Sequence, residues 1–465
     1  MYRRRVLVAI GVVSLAASAA AFNDFDFGLF REHMLDSHSE QLFGIVGPVD
    51  ESSGDSITRQ EAISNPTALV TLARGLRARV LTASASAGTN IDMMALWPNS
   101  ESPTHLIACN EGGANEPGLQ RIRLSDGAVE TIVTGTADCD PVKRTAWGTI
   151  VFGEEGSPGW LIELVNPLNT TGVAFNRTTG VFSGGAGAAN LTVRTAVGRL
   201  AFEGLAFLPN GVLYYGDENR PLNGAPGGAY FKFIPTTPAN GPIASLSQSP
   251  LAAGKVYGLR LGKRNNADYG QGTNTGLGNW IAVDPALIAD LRGATATLKL
   301  TGYYRPEDLE TDPAALSEGV VRFCGNNTGN EAQDRNWGET ICVTDGTVAE
   351  ALANTGTPDV QYLVIGTPDF AMMDNLAYQP GRGNWIIHED GDGPSVGRNN
   401  DLWSCVDDGD DADFLSDGCA RIGTLNDLTA EWTGGVFDAS GTHFYVSVQH
   451  NISGRGVILD ITGWR

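Results

Sequence analysis

The sequence predicts an all-β β-propeller with short helical insertions. Three observations carry that expectation: a turn-rich composition, a recurring strand–turn–strand segment and the lack of long helical patterning. The 465-residue chain holds 59 glycines and 22 prolines, residues that punctuate a chain with tight turns. Only 18% of its residues are charged, and no heptad or Lys/Glu-rich stretch marks a long helix. Three segments share one design: Glu203 to Glu218, Asp374 to Asp390 and Gly434 to His450. Each is a short apolar strand, a turn built on Pro, Asn or Ser with Gly, and a second apolar strand, which is a hairpin signal. Strand pairs around 95–111 and 139–155 end in the same way. One hairpin repeated along a chain points to blades.

The elements follow in order. Arg3, Arg4 and Arg5 precede an apolar run from Val6 to Ala21 that ends in small residues. A basic start, a short apolar core and an Ala-rich end predict a signal peptide over residues 1–21. Arg3-Arg4 also fits a twin-arginine signal. The run is too short and too rich in small residues for a membrane span, and no other segment could be one. The mature chain is therefore expected in the periplasm or outside the cell, acting as a monomer. Residues 22–75 are weakly patterned and read as an N-terminal arm or insertion. Residues 76–465 read as the propeller, with short helices expected within 306–320 and 348–354.

The net charge of −22 argues against nucleic-acid binding, which needs basic surface to displace counterions. Surplus carboxylates can instead serve Ca²⁺, a hard cation that takes oxygen ligands; solubility alone is the alternative use. Six cysteines in an exported chain suggest disulfides. Cys324–Cys342 and Cys405–Cys419 are the natural local pairs, the second enclosing Asp407, Asp408, Asp410, Asp411 and Asp413. That acidic loop is either a separate Ca²⁺ site or a solvated turn. Cys109 and Cys139 either pair with each other or stay free.

The second strands of the hairpins run into Asn110-Glu111, Glu154-Glu155, Asp217-Glu218, His388-Glu389-Asp390 and Gln449-His450. In a propeller, equivalent strand ends gather on one face around the central channel. Carboxylates crowded there would repel and raise one another's pKa, and bound cations remove that conflict. A single acidic strand end is usually just solvated; the same feature at several equivalent positions predicts a metal site. Glu111, Glu154, Glu155 and Asp217 are therefore candidate ligands. His388 and His450 are candidates to hydrogen-bond those ligands. Other chemistries lack their motifs. There is no His-Glu-x-x-His and no phosphate-binding glycine loop. Six histidines in the whole chain make a His-rich zinc site a poor reading.

Several segments together resemble one family. Cys139 to Glu155 is similar to the PhoX alkaline phosphatase pattern of a cysteine, a Thr-Pro-Trp-Gly-Thr element and paired glutamates. Gly198 to Glu203 resembles its Gly-Arg-Phe-x-His-Glu element, and Asp217-Glu218 its Thr-Glu-Asp region. Gly227 to Phe233 resembles its Gly-Gly-aromatic strand, and Arg305-Pro-Glu307-Asp308 its Arg-x-Glu-Asp element. Asp374-Asn-Leu, Glu431-x-Thr-Gly434 and Gln449-His450 match its last two blades. The likeness runs from about residue 90 to the C-terminus. It implies a six-bladed propeller that holds Fe³⁺ and Ca²⁺, leaves the cytoplasm by the twin-arginine route and hydrolyses small phosphomonoesters. It further implies Cys139 as an iron ligand and Glu154 or Glu155, Glu203, Glu307 and Asp374 as carboxylate ligands. Glu203 and Arg305 would act on the substrate, the arginine gripping two phosphate oxygens at once.

The chain departs from the pattern at Cys109-Asn110-Glu111, where the family has Asn-His-Glu, at Phe202 before Glu203, and at Ala146. A bridge between Cys109 and Cys139 would remove the iron thiolate. Two other functions therefore stay beside phosphatase: a calcium-dependent propeller lactonase or esterase, and a non-catalytic, metal-stabilised binding propeller.

Overall fold

A computed structural model describes residues 27–465 except 51, 53, 222–225, 263–273 and 410–412. The expected signal peptide, and Asp410 and Asp411, lie outside the described residues.

The regular structure of the described residues is mostly strand, in five hydrogen-bonded sheets whose ladders are antiparallel except where Val173–Asn176 runs parallel to Val129–Thr134. The first sheet starts at Ile91–Trp97 and runs outward through His105–Asn110, Pro117–Arg123 and Val129–Thr134. The second runs from Cys139–Arg144 to Leu191–Val193, and the fifth starts at Glu431–Phe437. The fourth starts at Met373–Tyr378. The third has nine strands: one meander begins at Phe202–Phe207, another at Pro306–Thr311. These two meet at their outer edges, where Gly276 and Leu277 pair with Val360 and Asp359. The sheets are thus five rather than the six separate ones expected. The six starting strands nevertheless pack each against the next, and Glu431–Phe437 returns to Ile91–Trp97. They encircle one axis, the propeller-like arrangement of an all-β chain.

Both ends of the chain enter this ring. Arg77–Thr82 pairs antiparallel with Val457–Thr462 near the C-terminus. Val70–Leu72 likewise forms the outer edge of the fourth sheet against Cys419–Leu425. Ladder bonds between the two ends close the ring and leave fewer free edges.

Helices are short insertions. Within 306–320 only Pro313–Ser317 is helical, started by the Asp312 side chain accepting the Ala314 and Ala315 N–H groups. Val348–Ala353 is helical as expected, with Thr347 and Glu350 forming a capping box. Apolar clusters fill the spaces between sheets, and one buried polar network crosses the nine-stranded sheet. The Asp345 carboxylate there accepts from Lys232, from Tyr214 Oη at 2.6 Å and from Trp280 Nε1 at 2.9 Å. Asp345 and Lys232 are fully buried and sit in different meanders. Removing one partner of a buried pair strands the other charge. Asp345→Ala is expected to lower the unfolding free energy by about 3–5 kcal/mol, measured by urea denaturation. A loss below about 1 kcal/mol would show the network contributes little.

Candidate functional site

Strand geometry fixes what reaches the channel. A carboxylate occupies the second position of five of the six encircling strands: Asp92, Asp140, Glu203, Glu307 and Asp374. At each, pairing with the next strand shifts register immediately afterward, as between Phe202 and Leu205 or Met373 and Leu376. Such a bulge bends the strand and re-aims a side chain. In the sixth strand the register shifts between Thr433 and Val436. Gly434 takes the equivalent place, with φ 65° and the Asp92 carbonyl where a Cβ would sit. That strand contributes Glu431, three residues earlier, instead. Arg305, Asp138 and Met372, each two residues before one of these carboxylates, also have positive φ of 58°, 51° and 56°. Non-glycine residues there cost strain, which gathers at functional sites.

The acidic pairs at the second-strand ends divide into two roles because successive side chains point to opposite sides. The first member turns back to hold the backbone. Glu154 accepts the Ala137 N–H at 2.9 Å and the Trp160 N–H at 3.0 Å, and pairs with Arg177. Asp217 accepts the Ala201 N–H at 3.0 Å and pairs with Arg292. Glu389 accepts the Ala371 and Asp401 N–H groups and pairs with Arg398. The second member joins the channel carboxylates: Glu111, Glu155, Glu218 and Asp390.

Two triads of ligand oxygens lie within 4.8 Å of one another: Asp92, Glu111, Asp140, and Asp140, Glu155, Glu203. Asp140 belongs to both. Among the described residues no cation pairs with any of these five. Burial raises every one of their pKa values, and neighbouring carboxylates add to it. Glu111 is pushed up to about 7, burial being partly offset by hydrogen bonds to Asp140 and Asp92. Glu155 is pushed up to about 9 by burial and by Glu111, Glu218 and Glu307. Asp92, Asp140 and Glu203 are raised well above the usual range for the same reasons.

Arg305 brings a guanidinium to three of the neighbouring carboxylates. Arg305 Nε lies 2.7 Å from Glu218 and 3.2 Å from Glu307, and its Nη2 lies 3.8 Å from Asp390. Burial raises Glu307 to about 8 although Arg305 opposes it. Burial raises Asp374, with Glu307 and Asp390 adding to it. His450 Nδ1 reaches Glu431 at 2.7 Å. Beside Arg305 opens a polar cleft of about 260 Å³ lined by Arg220, Asn330, Gln333 and Asp390.

Of the residues expected from sequence, Glu111, Glu155, Glu203, Arg305, Glu307 and Asp374 converge here. Three do not. Cys139 is bonded to Cys109 and offers no thiolate. Glu154 and Asp217 are engaged by backbone N–H groups and arginines instead. His388 is also elsewhere, fully buried against the Phe444 ring, and burial lowers its pKa to about 3. Asp92 and Asp140 were not singled out from sequence; Glu218, Asp390 and Glu431 stood in the strand-end and family motifs but not among the candidate ligands. The signal was there: an acid after an apolar residue and two before another apolar one (Met94, Val142, Leu205, Leu309 or Leu376) recurs at Asp92, Asp140, Glu203, Glu307 and Asp374.

Comparison with solved structures places this fold among propellers. Pseudomonas fluorescens PhoX in complex with vanadate, a transition state analogue, superposes with a TM-score of 0.63 at 16% identity, over 89% of this chain and 98% of that one. A gluconolactonase from Xanthomonas campestris matches with a TM-score of 0.43 at 13% identity, over 89% and 96%. Curated protein sequences return no match. The family described as Alkaline phosphatase PhoX matches residues 188–451, more than half the chain. This chain belongs to the PhoX alkaline phosphatase family.

Proposed function

We propose that the acidic channel mouth is the hydrolytic site of an exported, calcium-dependent phosphatase that acts on small phosphomonoesters. The carrying observation is the cluster of buried Asp92, Asp140 and Glu203 with half-buried Glu111 and Glu155, without a cation partner among the described residues, in a PhoX family chain. On this reading the nine-stranded sheet counts as two blades, giving a six-bladed propeller; the ring of six adjacent starting strands supports that count. The basic, apolar N-terminal stretch supports export to the periplasm or beyond.

The donor set tests which metal fits. Every convergent ligand is a carboxylate oxygen, which suits Ca²⁺. A thiolate-held ferric ion does not fit, because the Cys139 sulfur is spent in a disulfide. Asp92, Glu111 and Asp140 would hold one calcium, and Asp140, Glu155 and Glu203 a second. Bound calcium would neutralise these carboxylates and draw phosphoryl oxygens toward it. Glu203, next to the Arg305 side of the mouth, supplies the ligand oxygen nearest the substrate in this reading. Arg305 is fixed by three carboxylates at the boundary between the cluster and the cleft. From there it donates charge-assisted hydrogen bonds to a phosphate. The polar cleft takes the alcohol part of the ester. Its size suits a small group.

Three outcomes follow. Metal analysis of purified protein should find calcium, and chelation should abolish hydrolysis of p-nitrophenyl phosphate, with calcium restoring it. Chelator-resistant turnover, or faster cleavage of a neutral p-nitrophenyl ester, sinks the phosphatase reading. Glu203→Gln should cost roughly 100-fold or more in kcat. Asp217→Asn, acting on scaffold, should retain calcium affinity while losing about 1–3 kcal/mol of stability. Equal calcium affinity in wild type and Glu203→Gln would remove Glu203 from the site. The third outcome concerns pH. The carboxyls of Glu111, Glu307 and Glu155 are raised to about 7, 8 and 9, so the folded chain binds more protons than the unfolded one. That stability is present at low pH and is lost as pH rises through these values. In chelator, Tm should therefore fall between about pH 5 and 9, and calcium should flatten the fall. A Tm that rises with pH over that window in chelator would contradict the cluster.

A further inference from the structure

The three disulfides differ in what they join. Cys324 and Cys342 face each other in register on adjacent strands of one sheet, as do Cys405 and Cys419. Their strands are already held by ladder hydrogen bonds. Cys109 and Cys139 belong to different sheets: one lies near the end of His105–Asn110, the other opens Cys139–Arg144. No strand ladder joins those two sheets.

The bridge sits directly behind the first triad. Glu111 follows Cys109 by two residues and Asp140 follows Cys139 by one. The first sheet thus brings Asp92 and Glu111, and the second Asp140, to one point, their ligand oxygens within 4.8 Å of one another. Both cysteines are fully buried, among Met93, Ile107, Val142 and Phe152. Burial and like charge push these acids apart, while the covalent link fixes the two Cα atoms at 5.0 Å.

We propose that the Cys109–Cys139 bridge is the positioning element of the Asp92, Glu111 and Asp140 cation site, setting the spacing of ligands that arrive on two separate sheets. The inference rests on the reading of the channel mouth as a calcium site. It goes further in assigning a function to the bridge: it makes calcium affinity depend on one disulfide of three. Groups that orient metal ligands typically alter affinity by about 10–100-fold when removed.

The test is calcium titration of the full chain after chelator stripping, in wild type, C109A/C139A and C324A/C342A. The expected result is about 10–100-fold weaker calcium binding in C109A/C139A, with C324A/C342A within about twofold of wild type. Equal affinity in wild type and C109A/C139A overturns the inference while leaving the calcium site standing. So does an equal loss in C324A/C342A, which would make the effect one of general stability. Absence of calcium binding in wild type overturns the site and this inference together. Should C109A/C139A not fold, calcium-loaded wild type is treated with dithiothreitol. The dithiol gives two electrons and two protons to each S–S bond, yielding two thiols, and closes to its own cyclic disulfide. Calcium release with an unchanged far-UV circular dichroism spectrum, reproduced in C324A/C342A and in C405A/C419A, where one intra-sheet bridge is already absent, supports the proposal. Retention of calcium, or release only on unfolding, overturns it.

Discussion

Mutual repulsion among buried carboxylates is the constraint around which this chain is organised. Asp92, Glu111, Asp140, Glu155 and Glu203 form two close triads that share Asp140, at the mouth of a closed ring of strands. Ionised carboxylates taken out of water and left unpaired are costly. The chain answers with protons, whose affinity rises at every member of the cluster, and with a donor set suited to hard cations. The rest of the architecture holds the groups in place against that repulsion. Bulges aim one acid from each of five encircling strands, and the chain ends are laddered together so that the ring cannot splay.

The neighbouring acids show how the scaffold bears this load. Glu154, Asp217 and Glu389 take backbone N–H groups just ahead of the encircling strands, and each is neutralised by its own arginine. They clamp the strand starts from which the channel carboxylates project. A single-residue step along the strand thus separates a clamp from a channel ligand. Arg305 is the exception to the acidic lining, and three carboxylates keep it there. A chain of net charge −22 can receive an anion only where local charges oppose the global field. Arg305 and bound calcium would do so at one point.

Much of this was legible in the sequence. The turn-rich composition and repeated hairpins gave an all-β, propeller-like arrangement, and acidic strand ends pointed to the channel face where these carboxylates converge. Glu111, Glu155, Glu203, Glu307 and Asp374 all converge as expected. The errors have physical causes. In the doublets Glu154-Glu155 and Asp217-Glu218, identity alone does not say which member faces inward; strand register decides that. Asp92 and Asp140 were hidden because their strands lack the obvious hairpin turn, although the acid recurs at the same place before an apolar residue. The fate of Cys139 depended on whether Cys109, 30 residues earlier, would arrive beside it, a question of how two sheets pack. The edge pairing that fuses two meanders into nine strands involves only two residues from each partner strand, too little to leave a pattern.

The central claim is that protons and calcium compete for the same buried carboxylates. Calorimetric calcium titrations near pH 7.5, repeated in buffers of different ionisation enthalpy, measure that exchange directly. Glu111, Glu307 and Glu155 hold protons to about 7, 8 and 9, so calcium binding should release on the order of one proton or more per chain. Calcium binding with no net proton release would place the cation away from these carboxylates and contradict the account.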